Sequence, residues 1–502
     1  MGDTVELMRK RVLDMAIRGE LVEQRPEEGT ALELLNAIED KKKLVPVKRK
    51  VSSSSKNYDI PFKLPKSWEW TTLESLSSLI TDGTHKTPTY VDEGVPFLSI
   101  KNISQGYLDL SDIKYITPEE HEELIRRCNP QKGDIMFCRI GTLGRVHLIE
   151  DDFEFSIFVS LGLIKLIEKD LGMYLKYMLS SPEFYRQVDE VKVVGSHASK
   201  LNLRDARNIK VPLPPIAEQK RIVAKIEEIF AVIDQIGTKK EEALSIIRNL
   251  RQTALQDAVM GVLVDQEDTN EPASILYEKI QAEKEQMVKE KKIKKEATLP
   301  DIEADEIPFD IPESWKWVRL GDIVSIKGGK RIPKGDKFSD VPTDYAYLRV
   351  SDMHNGTIIG DSLQYLTEEI YEKIKAYTIT SADVYLTIAG TIGRVGLIPE
   401  EFSGMNLTEN ACKLTPVKVD KHYLMYGLYS NFVQNQFKEG VNQLAQPKLS
   451  IRTTRSTIFP LPPIAEQRRI VEKLDEIMAI CDQMEAILDG SSETNKALKV
   501  AE

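Results

Sequence analysis

The 502-residue chain has no apolar run near the roughly 20 residues that a membrane-spanning helix needs. Cysteine is scarce. Cys128, Cys138, Cys412 and Cys481 are scattered with no CxxC pair, so a disulfide framework and a zinc site are both disfavoured. Reduced thiols in a cytoplasm are the expectation. The six histidines show no metal-ligand spacing. No GxxxxGK[ST] phosphate loop occurs, although KGGKRIPKGDK (327–337) superficially suggests one, and GxSxG, HExxH and a strand-borne GxGxxG are missing too. The Asn- or Asp-Pro-Pro-aromatic motif, with which adenine methyltransferases hold the target amine, is also absent. Carboxylates are plentiful but sit almost entirely in charge-mixed segments, which disfavours a catalytic pair. A chain this long without these signatures is expected to bind and position rather than to react.

Positive charge is also in deficit. The net charge of −11 argues, taken alone, against nucleic acid, whose affinity leans on Lys and Arg at phosphates. Distribution decides binding, however, and totals do not. The N-terminal MGDTVELMRKRVLDMA alternates charged and apolar residues and reads as an amphipathic helix, not a signal peptide.

What the chain does have is a repeat. PLPPIAEQKRIVAKIEEIF (212–230) returns as PLPPIAEQRRIVEKLDEIM (460–478), identical at fourteen of nineteen positions. Upstream, LPKSWEWTTL (64–73) answers IPESWKWVRL (311–320), FLSIKNISQG (97–106) answers YLRVSDMHNG (347–356), and GTLGRVHLI (141–149) answers GTIGRVGLI (390–398). The order and near-constant offset imply two homologous domains of strands and loops with a few helices. Between these landmarks the copies diverge, so the scaffold is shared and the loops are not.

After the prolines the period changes. Ile222, Ile226, Ile229, Ile233 and Ile236, then Ala243, Ile247, Leu250 and Ala254, alternate by four and three, the period of a coiled-coil seam. Ile470, Leu474, Ile477, Cys481, Met484 and Leu488 repeat it. The first arm closes with LQDAVMGVLVDQ (255–266), and the N-terminus reads LDMAIRGELVEQ (13–24), which places Val5, Met8 and Val12 on the seam. The N-terminal helix is therefore expected to complete the second arm, giving a closed pseudo-dimer. The charged stretches 31–50 and 273–296 read as matching surface helices or linkers.

The doubled PLPPIAEQ entering heptads, the divergent domains before it and the central helical arm resemble the specificity subunits of Type I restriction–modification enzymes over essentially the whole chain. The resemblance implies an α+β protein in which two homologous mixed α/β target-recognition domains are joined by two long helices. Those helices would form an antiparallel coiled coil in a pseudo-twofold cyclic arrangement. The expected divisions are 1–60 (N-terminal helix and charged segment), 61–211 (first recognition domain), 212–266 (central helix), 267–307 (charged segment), 308–459 (second recognition domain) and 460–502 (C-terminal helix). Each domain would read half of a bipartite, asymmetric site on double-stranded DNA. Two modification subunits carrying S-adenosylmethionine and two motor-nuclease subunits using ATP and magnesium would dock on this chain, which itself would bind no cofactor. Two rivals remain: a specificity subunit serving a methyltransferase alone, and a coiled-coil scaffold with two protein-binding domains.

Candidate DNA-binding residues follow from loop chemistry. TDGTHKTPTY (81–90) offers Thr84, His85 and Lys86 for phosphates or base edges, or is an ordinary surface loop. Its counterpart SIKGGKRIPKGDK (325–337) clusters Lys327, Lys330, Arg331 and Lys334, which favours phosphate contact. Arg145 and Arg394, in the shared GT[LI]GRV turns, are either phosphate anchors or structural salt-bridge partners. Immediately before the arms, Ser196, His197, Lys200 and Asn202 and, in the second copy, Gln443, Gln446 and Lys448 suit groove contacts. Lys101, Asn102 and Arg349 complete the set. The shared Ala217-Glu218-Gln219 cannot encode sequence preference, so helix capping and packing are its default reading.

Overall fold

The computed structural model describes residues 2–44, 60–195, 198–267, 271–442 and 448–489. Its long helices are α1 (Gly2–Arg18), α2 (Ala31–Leu44), α3 (Ile216–Met260), α4 (Ala273–Lys289) and α5 (Ile464–Leu488). Among the described residues no helix is long and apolar enough to cross a membrane. The chain divides into two compact units, 1–239 and 240–502, each with its own mixed α/β core.

In the first unit an antiparallel sheet runs in the order β1-β4-β2-β3, with β1 (Ser77–Asp82), β2 (Ile135–Cys138), β3 (Val146–Leu148) and β4 (Leu161–Leu166). The second unit repeats it as β5-β8-β6-β7, with β5 (Val324–Gly328), β6 (Val384–Thr387), β7 (Val395–Leu397) and β8 (Ala411–Pro416). All four residues of β2 and of β6 are buried, which is why these strands read as continuous apolar runs rather than as alternation. A second small sheet in each unit contains one parallel pair, Phe97↔Ser156 in the first and Tyr347↔Asn406 in the second. The Trp-x-Trp segments pair antiparallel with the strands that end at the prolines, Glu69↔Leu213 and Lys316↔Leu461.

Each unit also closes a helix pair. In the first, Arg9 of α1 forms an ion pair with Asp234 of α3 and lies 4.4 Å over the Phe230 ring, while Gln24, beyond the end of α1, reaches Glu218 at 2.5 Å. In the second, Arg251 of α3 pairs with Asp482 (2.6 Å) and Glu485 (3.1 Å) of α5, and Gln266 reaches Glu466 at 2.5 Å. Thus α1 holds in its unit the place that the end of α3 holds in the other. Both helices stop at a glycine with positive φ, Gly19 (75°) and Gly261 (78°). A Cβ there would lie 2.4 Å from Pro65 Cγ and 2.5 Å from Pro312 Cγ, respectively, so both conformation and space require glycine.

The seam departs from its expected phase. Ile222, Ile226, Ile233, Ile247 and Ala254 are buried as expected, but Ile236 (47% exposed) and Leu250 (42%) face outward, and Leu244 and Ala258, which the count left off the seam, are buried too. From half-buried Ile229 through buried Ile233 to half-buried Gly237 the burial stripe takes two steps of four in succession, and it continues through half-buried Lys240. Such a stutter re-aims a seam by a fraction of a turn. Gly237 is where α1 comes close, its virtual Cβ lying 3.7 Å from Val5 Cγ2. Met8 and Met484, placed on the seam by sequence, are exposed as well.

Candidate nucleic-acid interface

In the second unit β5 runs into Gly328-Gly329. A Cβ on Gly329 would sit 2.0 Å from Thr408 O and 2.3 Å from Leu407 O, so only glycine lets the loop press this closely on the neighbouring strand. Gly329 N donates to Ala411 O (2.9 Å) and Lys330 N to Leu407 O (2.8 Å), anchoring the backbone from which the basic side chains leave. Lys330, Arg331 and Lys448 then line one cleft of about 600 Å³ together with Glu409. Lys327 and Lys330 hold their ammonium groups 5.1 and 5.7 Å from the Tyr377 ring centre. Burial, then the positive charge of Lys413 and Lys294, lowers the Lys327 pKa, so an anion placed here would relieve repulsion. Lys334 is exposed further along the loop.

The first unit builds the same corner from other residues. A Cβ on Gly83 would lie 1.9 Å from Ile157 O, and Thr84 N donates to Ile157 O (3.0 Å), which puts Thr84 where the second unit has Lys330. The Thr84 hydroxyl closes a local turn with Lys86, accepting from its amide (3.2 Å) and donating to its carbonyl (3.1 Å). His85 lies 3.0 Å from Asp82 Oδ2, and the same buried carboxylate takes Arg139 Nη1 (2.6 Å) and Arg127. Arg139 is buried, whereas the Arg127 side chain is 53% exposed. Lys200 is exposed and forms an isolated backbone bridge with Ile140, as Lys448 does with Ala389. Asn202 is exposed with its amide 3.2 Å from Asp205. Lys86 and Lys101 are exposed, Lys101 within 3.7 Å of Asp112.

One candidate, Asn102, is corrected. The Asn102 side chain is buried, accepting from Ser99 N (2.9 Å) and donating to Asp109 O (3.0 Å), so it caps a turn and cannot reach a groove. Arg349 occupies the equivalent turn and donates to buried Asp352 (2.9 Å) and Ser362 O (2.5 Å), with its side chain still 31% exposed. The shared arginines diverge. Arg145 is exposed in a separate cleft with Glu6 and Arg9 of α1 and Tyr185. Arg394 donates to Met353 O (3.3 Å) and contacts His354 Nδ1 (3.1 Å), partners other than the carboxylate of a salt bridge. Ser196, His197, Gln443 and Gln446 lie outside the described residues. Sequence reasoning missed Asp82, Arg127, Arg139 and Glu409, the charged partners that hold the loops.

The family model for the Type I restriction modification DNA specificity domain matches this chain twice, at residues 65–245 and 312–489. The chain is similar to the Type I restriction enzyme EcoAI specificity subunit of Escherichia coli, 26% identical over 561 residues, with 98% of this chain and 92% of that protein covered. The EcoEI specificity subunit of Escherichia coli is 24% identical over 572 residues with the same coverage. In fold, the chain resembles a solved chain from work on complex assembly and conformational transition of the type I R-M system. That match has a TM-score of 0.54 at 20% identity and covers 88% of this chain and 97% of that one.

Proposed function

The chain belongs to the Type I restriction–modification DNA specificity family, and from that premise we propose that its two recognition domains, 61–211 and 308–459, each read one half of a bipartite, asymmetric DNA site. Recognition of DNA sequence is the family's role. The observation that carries the two-reader assignment is the equivalence of Thr84-His85 and Lys330-Arg331: the same backbone position, anchored by the same kind of strand contact, presents different hydrogen-bonding chemistry in each unit. Sequence is read at base edges by side chains of this kind, while phosphate contacts set register.

The reading extends to assembly. The central helix, 45 residues and about 68 Å at 1.5 Å per residue, would set the gap between half-sites as one arm of an antiparallel coiled coil in a pseudo-twofold arrangement. The reversed order of the polar contacts along each helix pair, the Arg9–Asp234 ion pair with the Gln24–Glu218 hydrogen bond and the Lys240–Asp489 ion pair with Arg251–Asp482, supports that geometry. Two methyltransferase subunits carrying S-adenosylmethionine, and two motor-nuclease subunits using ATP and magnesium, would dock on the arms. This chain would contribute no catalysis and bind no cofactor, and it would work in the cytoplasm.

The test is co-purification with the modification subunit, followed by genome-wide mapping of methylated adenines. A gapped, asymmetric motif supports the reading. An ungapped motif, or methylation by the pure chain alone, overturns it.

A further inference from the structure

Arg331 and Glu409 form a pair whose geometry differs from a phosphate clamp. Arg331 Nε donates to Glu409 Oε1 at 2.6 Å, and the arginine side chain is 76% exposed. Its two terminal amino groups have no partner among the described residues. Glu409 is itself fixed, with Oε2 within 3.2 Å of both the Tyr347 hydroxyl and Thr408 Oγ1. Tyr347 is buried, its hydroxyl lies 2.9 Å from Lys330 O, and burial pushes its pKa up to about 12, so it stays a neutral donor. Its single hydroxyl hydrogen can serve either the backbone before Arg331 or the carboxylate beside it, so one rigid side chain lies against both, with Thr408 Oγ1 as the second donor at Glu409. That is preorganisation of a kind base readout needs.

Charge decides the ligand. A carboxylate 2.6 Å from the guanidinium neutralises the pair and would repel a phosphate oxygen, whereas Lys327 and Lys330, poised on the Tyr377 ring, carry no such partner. In the major groove a G·C pair presents N7 and O6 of guanine as acceptors, next to the N4 amino group of cytosine as donor. Two free guanidinium amino groups beside a carboxylate oxygen complement that pattern. Resting on the two-reader assignment above, we propose that Arg331 and Glu409 together read one G·C base pair in the half-site of the second recognition domain, Arg331 contacting guanine and Glu409 both orienting it and facing cytosine.

The test uses the complex of this chain with its modification subunits. Once the methylated motif is mapped, duplexes carry 7-deazaguanine, which lacks N7, at each guanine of the half-site that follows domain 308–459. The wild-type complex should lose roughly tenfold or more in affinity at one position. Arg331→Ala should lose a similar factor on the unmodified duplex and nothing further at that position. Glu409→Gln should relax the G·C preference there while leaving the other half-site and the melting temperature unchanged. Three outcomes overturn the proposal: Arg331→Ala weakening all sequences equally, its keeping the full 7-deazaguanine penalty, or a half-site without a G·C pair. Failure to find any gapped motif would instead sink the two-reader assignment beneath it.

Discussion

The indole nitrogen of Trp68 donates a 2.9 Å hydrogen bond to Glu218 Oε2. Gln24 holds the other oxygen, so one buried carboxylate in the first turn of α3 ties together the entry of the recognition domain and the segment after α1. Glu466, Gln266 and Trp315 surround the equivalent point of the second unit. Burial outweighs these donors and raises the pKa of both glutamates. A carboxyl with a raised folded pKa contributes most below its unfolded value, near 4.5, and loses that contribution as pH rises through the folded value. Glu218→Ala, which strands the buried Trp68 indole N–H and removes one partner of half-buried Gln24, should cost about 2 kcal/mol. Urea melts of both forms should show the gap widening from pH 7.5 to pH 5. A gap that narrows on acidification would contradict this account.

Lys327 and Lys330 should act at phosphates. Replacing both with alanine should weaken binding to specific and random duplexes alike and reduce the slope of log K against log salt by about 0.9 for each phosphate no longer neutralised. Fluorescence titrations between low and moderate salt measure this directly. An unchanged slope would place the loop away from the backbone.

Gly329→Ala puts a methyl group 2.0 Å from a backbone carbonyl, so either the loop or strand 406–407 must move. A destabilisation of about 1–3 kcal/mol is expected, of the size seen for overpacking. DNA affinity of the assembled complex should fall more than for Gly328→Ala, where φ is not positive and the virtual Cβ meets only the side-chain atom Ile451 Cδ1, at 3.3 Å. Equal effects of the two would show that the close approach does not organise the interface.

The ruler role of α3 is tested by inserting four residues after Arg248. Helical phase is nearly kept, the arm lengthens by about 6 Å, and at about 3.4 Å per base pair the gap in the motif should grow by one to two base pairs. Both half-sites should survive. Methylation mapping that returns the original gap from an active complex would assign spacing to something else.

The sequence carried the repeat plainly, because PLPPIAEQ and the Trp-x-Trp strands meet the same packing demands twice: Gln219 and Gln467 each donate to the carbonyl of the proline five residues before, Tyr174 to Pro212 O and Tyr423 to Pro460 O. Side-chain roles in the loops were harder to read. Asn102 has the chemistry of a DNA contact, yet it sits three residues from its capping partner in Ser-x-x-Asn, a local signal that outranked groove contact, and Arg349 makes the like turn in Arg-x-x-Asp. Asp82 with Arg139, 57 residues apart, and Arg331 with Glu409, 78 apart, could not be paired by spacing, because strand order rather than distance along the chain brings them together. Ile236 and Leu250 were misplaced on the seam because a heptad count is blind to a stutter at a glycine, whereas Ile247 and Ala254 fall on the buried face as counted.

The central claim, two independent readers on one scaffold, is tested most directly by replacing residues 61–211 with the corresponding domain of a relative and mapping methylated adenines in cells. The account predicts that one half of the gapped motif changes while the other half and the gap stay as they were. A change in both halves together, or in neither half from an active complex, would contradict it.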